Sequence, residues 1–273
     1  MSHAETTWWN SPYTIGLLIL GVALLATFAW LETRVEFPLL ALRVVRNRTR
    51  GGSMLGMLFS TVGLFGMFLF LTYYLQGTLG FSPVNTGFVF LPMVAVMVGM
   101  AQVSNRVLLP RFGPKTILPI GMCINAVAMY LLHFVGLHSS YAGHKPPCLV
   151  LLGLGFGTSF APALRTGTLG LQPHDVGVGS ATLNTSQQVG VSIGTALLNT
   201  VAAGAATSYL VGRAATSANL EAAVLHSYTT AFELSSVIFV VGAVVVGLVL
   251  QRGTIGTLTS LGQDADNNQL APA

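Results

Sequence analysis

The 273-residue chain has 12 Lys and Arg and 8 Asp and Glu; 7% of its residues are charged and 52% hydrophobic, with mean hydropathy +0.71 and net charge +4. Soluble domains carry about a quarter charged residues, so an ordinary soluble fold is excluded for want of polar surface. The charges fall in gaps between long charge-free runs, so the positive net charge speaks of membrane topology and not of a nucleic-acid partner.

No Asp, Glu, Lys or Arg occurs between Glu5 and Glu32, Arg50 and Arg106, Lys115 and Lys145, Lys145 and Arg165, Asp175 and Arg213, or Glu233 and Arg252. Apolar runs of about 18 or more residues cross a bilayer as helices. These runs are too long and too uniformly apolar for barrel strands, which leaves helices to satisfy the backbone in lipid. The predicted class is an all-α, polytopic integral membrane protein with seven transmembrane helices.

The first span, about 13–31, is roughly twice a signal-peptide core and lacks a positive start, so it reads as a true span. The second and third, about 53–75 and 84–105, are divided by a turn over Gln76-Gly-Thr-Leu-Gly-Phe-Ser-Pro83. Tyr73, Tyr74 and Gln76 fit an interfacial aromatic belt or a polar group facing a ligand. Pro92, Pro119 and Pro162 lie in or beside spans, where a missing N–H permits bending.

The fourth and fifth spans cover about 116–137 and 147–165. Gly153-Leu-Gly-Phe-Gly157 lies inside the fifth without a following Lys-Ser or Lys-Thr, so it reads as close helix packing and not as a phosphate cradle. The sixth span, about 178–203, contains Asn184-Thr-Ser-Gln-Gln188 and the small-residue pair Gly190 and Gly194. On a helix Asn184, Gln187 and Gln188 share one face, which must meet protein or water. They serve either as hydrogen-bonding glue between helices or as a ligand-facing surface. Glu233, about seven residues into the seventh span at 227–251, is either a proton carrier or a snorkelling carboxyl bonded to a neighbour.

Lys and Arg favour cytoplasmic loops. With Arg34, Arg43, Arg46, Arg48 and Arg50 inside, Arg106, Arg111, Lys115, Arg165 and Arg252 follow, leaving only Lys145 and Arg213 outside. The expectation is a multi-pass cell-membrane protein with its N-terminus outside and C-terminus cytoplasmic. Cys123 and Cys148 read as small packing residues. His3, His133, His138, His144, His174 and His226 never stand at the i, i+4 spacing of a helical metal site. No metal, cofactor or enzymatic chemistry is implied, since nucleophile and base pairs are also missing.

Tyr74-Leu-Gln76, Gly80-Phe-Ser-Pro83, Gly87 and Leu91-Pro92 resemble the helices that open the C-terminal half of major facilitator superfamily drug:proton antiporters of the EmrB/QacA branch. Glu32-x-Arg34, Pro38-Leu39 and the Arg43 to Arg50 cluster resemble that branch's last linker helix and its loop; Gly177 to Ala181, the Asn184 to Gln188 group, Gly190 and Gly194 resemble its penultimate helix. Arg111-Phe-Gly-Pro-Lys115 resembles the end of the cytoplasmic gating motif Gly-x-x-x-Asp-Arg-x-Gly-Arg-Lys, but Arg106, Pro110 and Pro114 replace its Gly, its Asp and its first closing basic residue.

The resemblance covers about residues 8 to 252 and implies the last seven of fourteen helices: a linker helix and basic loop over 1–52, a six-helix bundle over 53–252 and a disordered tail over 253–273. It implies the C-terminal part of a proton-coupled efflux transporter of amphipathic small molecules, partnered by the lipid bilayer and an N-terminal transporter half. The alternative is a degenerate half-transporter that acts as a non-transporting scaffold. Tyr74, Gln76, Thr158, Ser159, Asn184, Gln187 and Gln188 become substrate-cavity candidates, with Gln102 behind them. Arg111, Gly113 and Lys115 become the gating loop. Glu233, the proton-coupling candidate on charge alone, falls on a helix that in this family is an outer support remote from the cavity.

Overall fold

An unpaired backbone amide in hydrocarbon costs several kcal/mol, so a lipid-spanning chain closes its hydrogen bonds within each segment. The computed structural model describes residues 12–32, 47–134, 141–171, 175–214, 216–253 and 256–257, and among these there is no strand. Arg34, Pro38, Leu39, Arg43, Arg46, His3, His138 and His174, the side chains of His144 and Lys145, and the tail beyond 257 lie outside the described residues.

The chain divides into two compact units, Met1–Leu42 and Arg43–Ala273. The first contains α1, Pro12–Glu32, with an apolar run at Ile15–Leu24. Among the described residues the second holds six helices long and apolar enough to cross a membrane: α2 (Arg48–Thr78), α3 (Pro83–Phe112), α4 (Pro114–His133), α5 (Tyr141–Gly167, apolar from Pro147), α6 (Val176–Leu210) and α7 (Ser217–Val249). The chain is an all-α polytopic membrane protein, as its charge spacing predicts.

Most helices run past the expected spans, although α4 ends at His133, short of 137. α7 starts ten residues earlier than 227, because Thr216 caps it by accepting the Asn219 N–H, and the polar turns Ser217 to His226 are helical although not apolar. The predicted turn over 76–83 is shorter, since α2 continues through a π-helical turn at Tyr74–Thr78 and α3 begins at Pro83, with Ser82 as its N-cap. A second π-helical turn, Ser104–Leu108, carries α3 to Phe112. Gly113, at φ 75°, then reverses the chain directly into Pro114, a conformation that only glycine adopts without strain.

α5 packs on α2, α3 and α4, while α7 packs on α2, α4 and α6. The core between them is aromatic and Met-rich, with Phe156 and Phe239 edge to face at 5.8 Å and Met57, Met67, Met93, Met122 and Met129 fully buried. α3 and α6 lie outermost: only 22% of each apolar window is buried, against 61% in α2 and α5.

The helix ends that carry the arginines, hereafter the basic end, are tied by those arginines. Arg50, 1% exposed, donates from Nε to the Leu169 carbonyl at 3.2 Å and from Nη2 to Gly170 at 3.0 Å, just past the end of α5. Arg48 donates to the Val249 and Leu248 carbonyls of α7 at 3.2 and 3.1 Å. Cations at helix C-termini satisfy orphan carbonyls and complement the macrodipole. Arg50→Ala should cost about 2–4 kcal/mol, because a buried guanidinium is removed and two half-buried carbonyls lose charged donors. Arg48→Ala, at an exposed site, should cost about 1 kcal/mol or less. Denaturation midpoints in detergent check this, and equal losses would show that burial does not set the cost.

Candidate functional site

The rotation of α6 follows from its glycines. A Cβ on Gly190 would lie 2.6 Å from the Leu58 carbonyl oxygen and one on Gly194 would lie 2.9 Å from Val62 Cα, so that side of α6 rests on the α2 backbone. The small-residue pair is a packing device, as its spacing suggests. Asn184, Gln188 and Ser192 then project from the opposite side, where with Thr185, Val189 and Ile193 they line a shallow concavity of about 320 Å³. Gln187, expected on the same face, is half-buried and outside this lining. Thr185 and Ser192 belong to it; one reading frame of i, i+4, i+8 from Asn184 would have found Ser192.

Hydroxyls and amides behave differently on this face. Thr185 Oγ1 donates to the Ala181 carbonyl at 3.0 Å, and Ser186 Oγ to that of Thr182 at 2.9 Å, one turn back. Asn184 and Gln188 are exposed and have no hydrogen-bond partner among the described residues. A primary amide facing hydrocarbon without a partner is costly, so this surface requires protein, water or a polar ligand against it.

The other cavity candidates lie elsewhere. Thr158 and Ser159 are buried in α5 and donate to the Leu154 and Gly155 carbonyls at 2.7 and 2.9 Å. Ser159 faces α4, where a Cβ on Gly121 would come within 2.7 Å of its backbone nitrogen. Tyr74 is fully buried in the core, while the next polar residue, Gln76, is exposed on the π-helical turn. The structure therefore brings together Asn184 and Gln188 but not Tyr74, Thr158, Ser159 or Gln187 with them. Gln102 is exposed on α3. Gly153 and Gly157 press against the Met93 and Met97 carbonyls of α3, at 2.5 and 2.6 Å from an added Cβ, in keeping with close packing.

Glu233 is exposed and its Oε2 lies 3.8 Å from His133 Nδ1, which also donates to the Thr229 carbonyl at 3.3 Å. His133 is the last residue of α4, so the carboxyl stands level with a helix end and away from the α6 face. Between α3 and α4, where the family resemblance implies a gating loop, Gly113 is the buried reversal point, Lys115 is half-buried, and exposed Arg111 lies 5.6 Å from the Phe112 ring centroid. Neither Arg111 nor Lys115 has an ion pair among the described residues. Instead, Arg165 of α5 donates to the Asn105 carbonyl in the α3 π-helical turn. Asn125, which the charge map passes over, is fully buried in α4 beside Gly155, and its amide has no hydrogen-bond partner among the described residues. Its only sequence signal is a lone amide in an apolar run.

Residues 4–195 match the Major Facilitator Superfamily. The chain belongs to this superfamily. It is 40% identical over 97% of its length to a puromycin resistance protein of Streptomyces alboniger, covering 52% of that protein. It is also similar to a multidrug resistance protein B homolog of Mycobacterium tuberculosis, at 34% identity over 66% of this chain and 34% of that one. A tetracenomycin C resistance and export protein of Streptomyces glaucescens is 30% identical over 71% of this chain and 36% of its own. The chain spans about half the length, or less, of these curated relatives.

If α6 is oriented by its glycines, Gly190→Val should destabilise by about 2 kcal/mol or more through overpacking against α2. Asn184→Leu should change stability by no more than about 0.5 kcal/mol. Thermal unfolding of the detergent-purified chain distinguishes them, and a costly Asn184→Leu would mean that the amide is internal glue.

Proposed function

We propose that the chain is the C-terminal part of a proton-coupled efflux transporter for amphipathic small molecules, and that α3 and α6 meet an N-terminal transporter half. The observation that carries this is the α6 surface: two exposed, unpaired amides on a helix that must otherwise lie in hydrocarbon. The names of the relatives, which concern resistance and export of chemically different compounds, support the reading. So does the exposure of α3 and α6, the two least buried of the six membrane-length helices.

On this reading Asn184 and Gln188 bond substrate or water between the halves, and Gln76 and Gln102 stand near its margins. Tyr74, Thr158, Ser159 and Gln187 act behind that surface by packing. Arg111, Gly113 and Lys115 form the gating loop. Glu233 has a structural place beside His133, and proton-carrying acids belong to the partner half. Residues 1–52 act as the linker helix and basic loop, 53–252 as the six-helix bundle and 253–273 as a polar tail. The basic end faces the cytoplasm of the cell membrane, with the N-terminus outside, because ten of the twelve Lys and Arg then lie inside.

Coexpression of this chain with the N-terminal half of a related exporter should restore proton-dependent ethidium efflux, and neither part alone should do so. The double substitution Asn184→Leu and Gln188→Leu should reduce efflux about tenfold at unchanged membrane abundance, since two polar contacts are lost. Efflux by this chain alone would overturn the reading, as would full efflux by the double variant. Topology is checked separately: an impermeant maleimide should label a cysteine at Ala214 in intact cells and one at Arg252 only after the membrane is opened.

A further inference from the structure

At the end of the bundle opposite the arginines, α7 projects beyond α4 by more than three turns, since His133, the last residue of α4, is level with Thr229. The projecting turns of α7 and the π-helical turn of α2 enclose a cleft of about 680 Å³ lined by Gly77, Thr78, Leu220, Glu221, Val224 and Tyr228, with Ala218 at its edge. The volume lies within the range of sites for small organic ligands. Gly77 makes room in it: even an added Cβ would reach only van der Waals contact, 3.9 Å, with Tyr228 Oη. The Tyr228 ring is steadied by Phe70, with centroids 6.2 Å apart.

Among the described residues no cation compensates the charge in this cleft. Glu221 has no ion pair among the described residues, and α2 offers none, because no charged residue occurs between Arg50 and Arg106. The nearest base along α6, Arg213, is engaged elsewhere: its guanidinium lies 3.7 Å from the Tyr209 ring centroid and donates to the Tyr209 carbonyl. His226 packs against the same Tyr209 ring at 5.4 Å. A carboxylate, an aromatic face and two aliphatic side chains remain, and together they recognise a cation with an apolar body.

We propose that the cleft between the π-helical turn of α2 and the projecting turns of α7 binds an amphipathic organic monocation. Its charge lies at the Glu221 carboxylate and its apolar part against Leu220, Val224 and the Tyr228 ring. The assignment shares the substrate class of the proposed efflux function but occupies a different place, away from the α6 amides.

Tetraphenylphosphonium binding to the full chain in phosphatidylcholine nanodiscs, measured by equilibrium dialysis, tests this. Saturable binding should weaken about three- to fivefold in Glu221→Gln, as expected for one partly exposed charge contact. It should weaken further in Gly77→Phe, which fills the cleft, and the neutral triphenylphosphine oxide should show no dependence on Glu221. Equal affinity of wild type and Glu221→Gln would overturn the cleft assignment while leaving the efflux reading intact. Loss of ethidium efflux with intact, Glu221-dependent tetraphenylphosphonium binding would do the reverse.

Discussion

The basic end of the bundle is held by arginine side chains reaching backbone carbonyls that the helix ends and turns leave without a helical partner. Arg50 serves the chain just past α5, Arg48 serves the end of α7, and Arg165 serves the π-helical turn of α3. Each guanidinium starts on one helix and reaches the backbone of another or the chain just past its end, so a single end of the bundle is cross-tied from α2 to α5 and α7 and from α5 to α3. The planar fork of guanidinium suits this work, because adjacent N–H groups address two successive carbonyls at once. At the other end there is no comparable set of ties among the described residues, and there α7 projects and a cleft opens beside it.

Close glycine contacts explain why α3 and α6 can stay outermost without coming loose. α3 is held by close backbone contact at Gly153 and Gly157 of α5, and α6 by Gly190 and Gly194 against α2. Small residues bring helices close enough for dispersion to hold them where no hydrophobic driving force separates helix from lipid. Each helix is thereby attached along one side only. The side left over on α6 is the polar one, and this pairing of a glycine side with an amide side is what turns a packing arrangement into a candidate binding surface.

Much of this was legible in the sequence, and what was not has a physical reason. Charge-free intervals located the helices because a charge in hydrocarbon is costly, and that rule is indifferent to tertiary detail. The glycine pairs were legible because their spacing matches one helical face. The arginine ties were not: their acceptors are backbone carbonyls, which every residue possesses, so Leu169, Gly170, Leu248 and Val249 carry no mark of their role. The π-helical turns insert a residue without a side-chain signature, which is why the turn after Gln76 is narrower than its sequence suggests. Tyr74 shows the same limit. Two residues from Gln76, it points into the core while Gln76 is exposed, and nothing in the two side chains themselves marks which of them faces inward.

Polar residues inside the spans sort by whether their own helix can satisfy them. Thr61, Thr158, Ser159 and Ser235 each donate to the carbonyl one turn back, so their presence says little about a ligand. A primary amide has two donor hydrogens and an acceptor, more than its own turn can meet. The three amides of interest therefore report their surroundings. Asn125 is enclosed against Gly155, and its side chain has no room to reach water at the surface. Asn184 and Gln188 face outward over a shallow concavity with open access. The same chemical need has two outcomes, and only the outward one can be met by something that comes and goes, which is the property a transported compound must have.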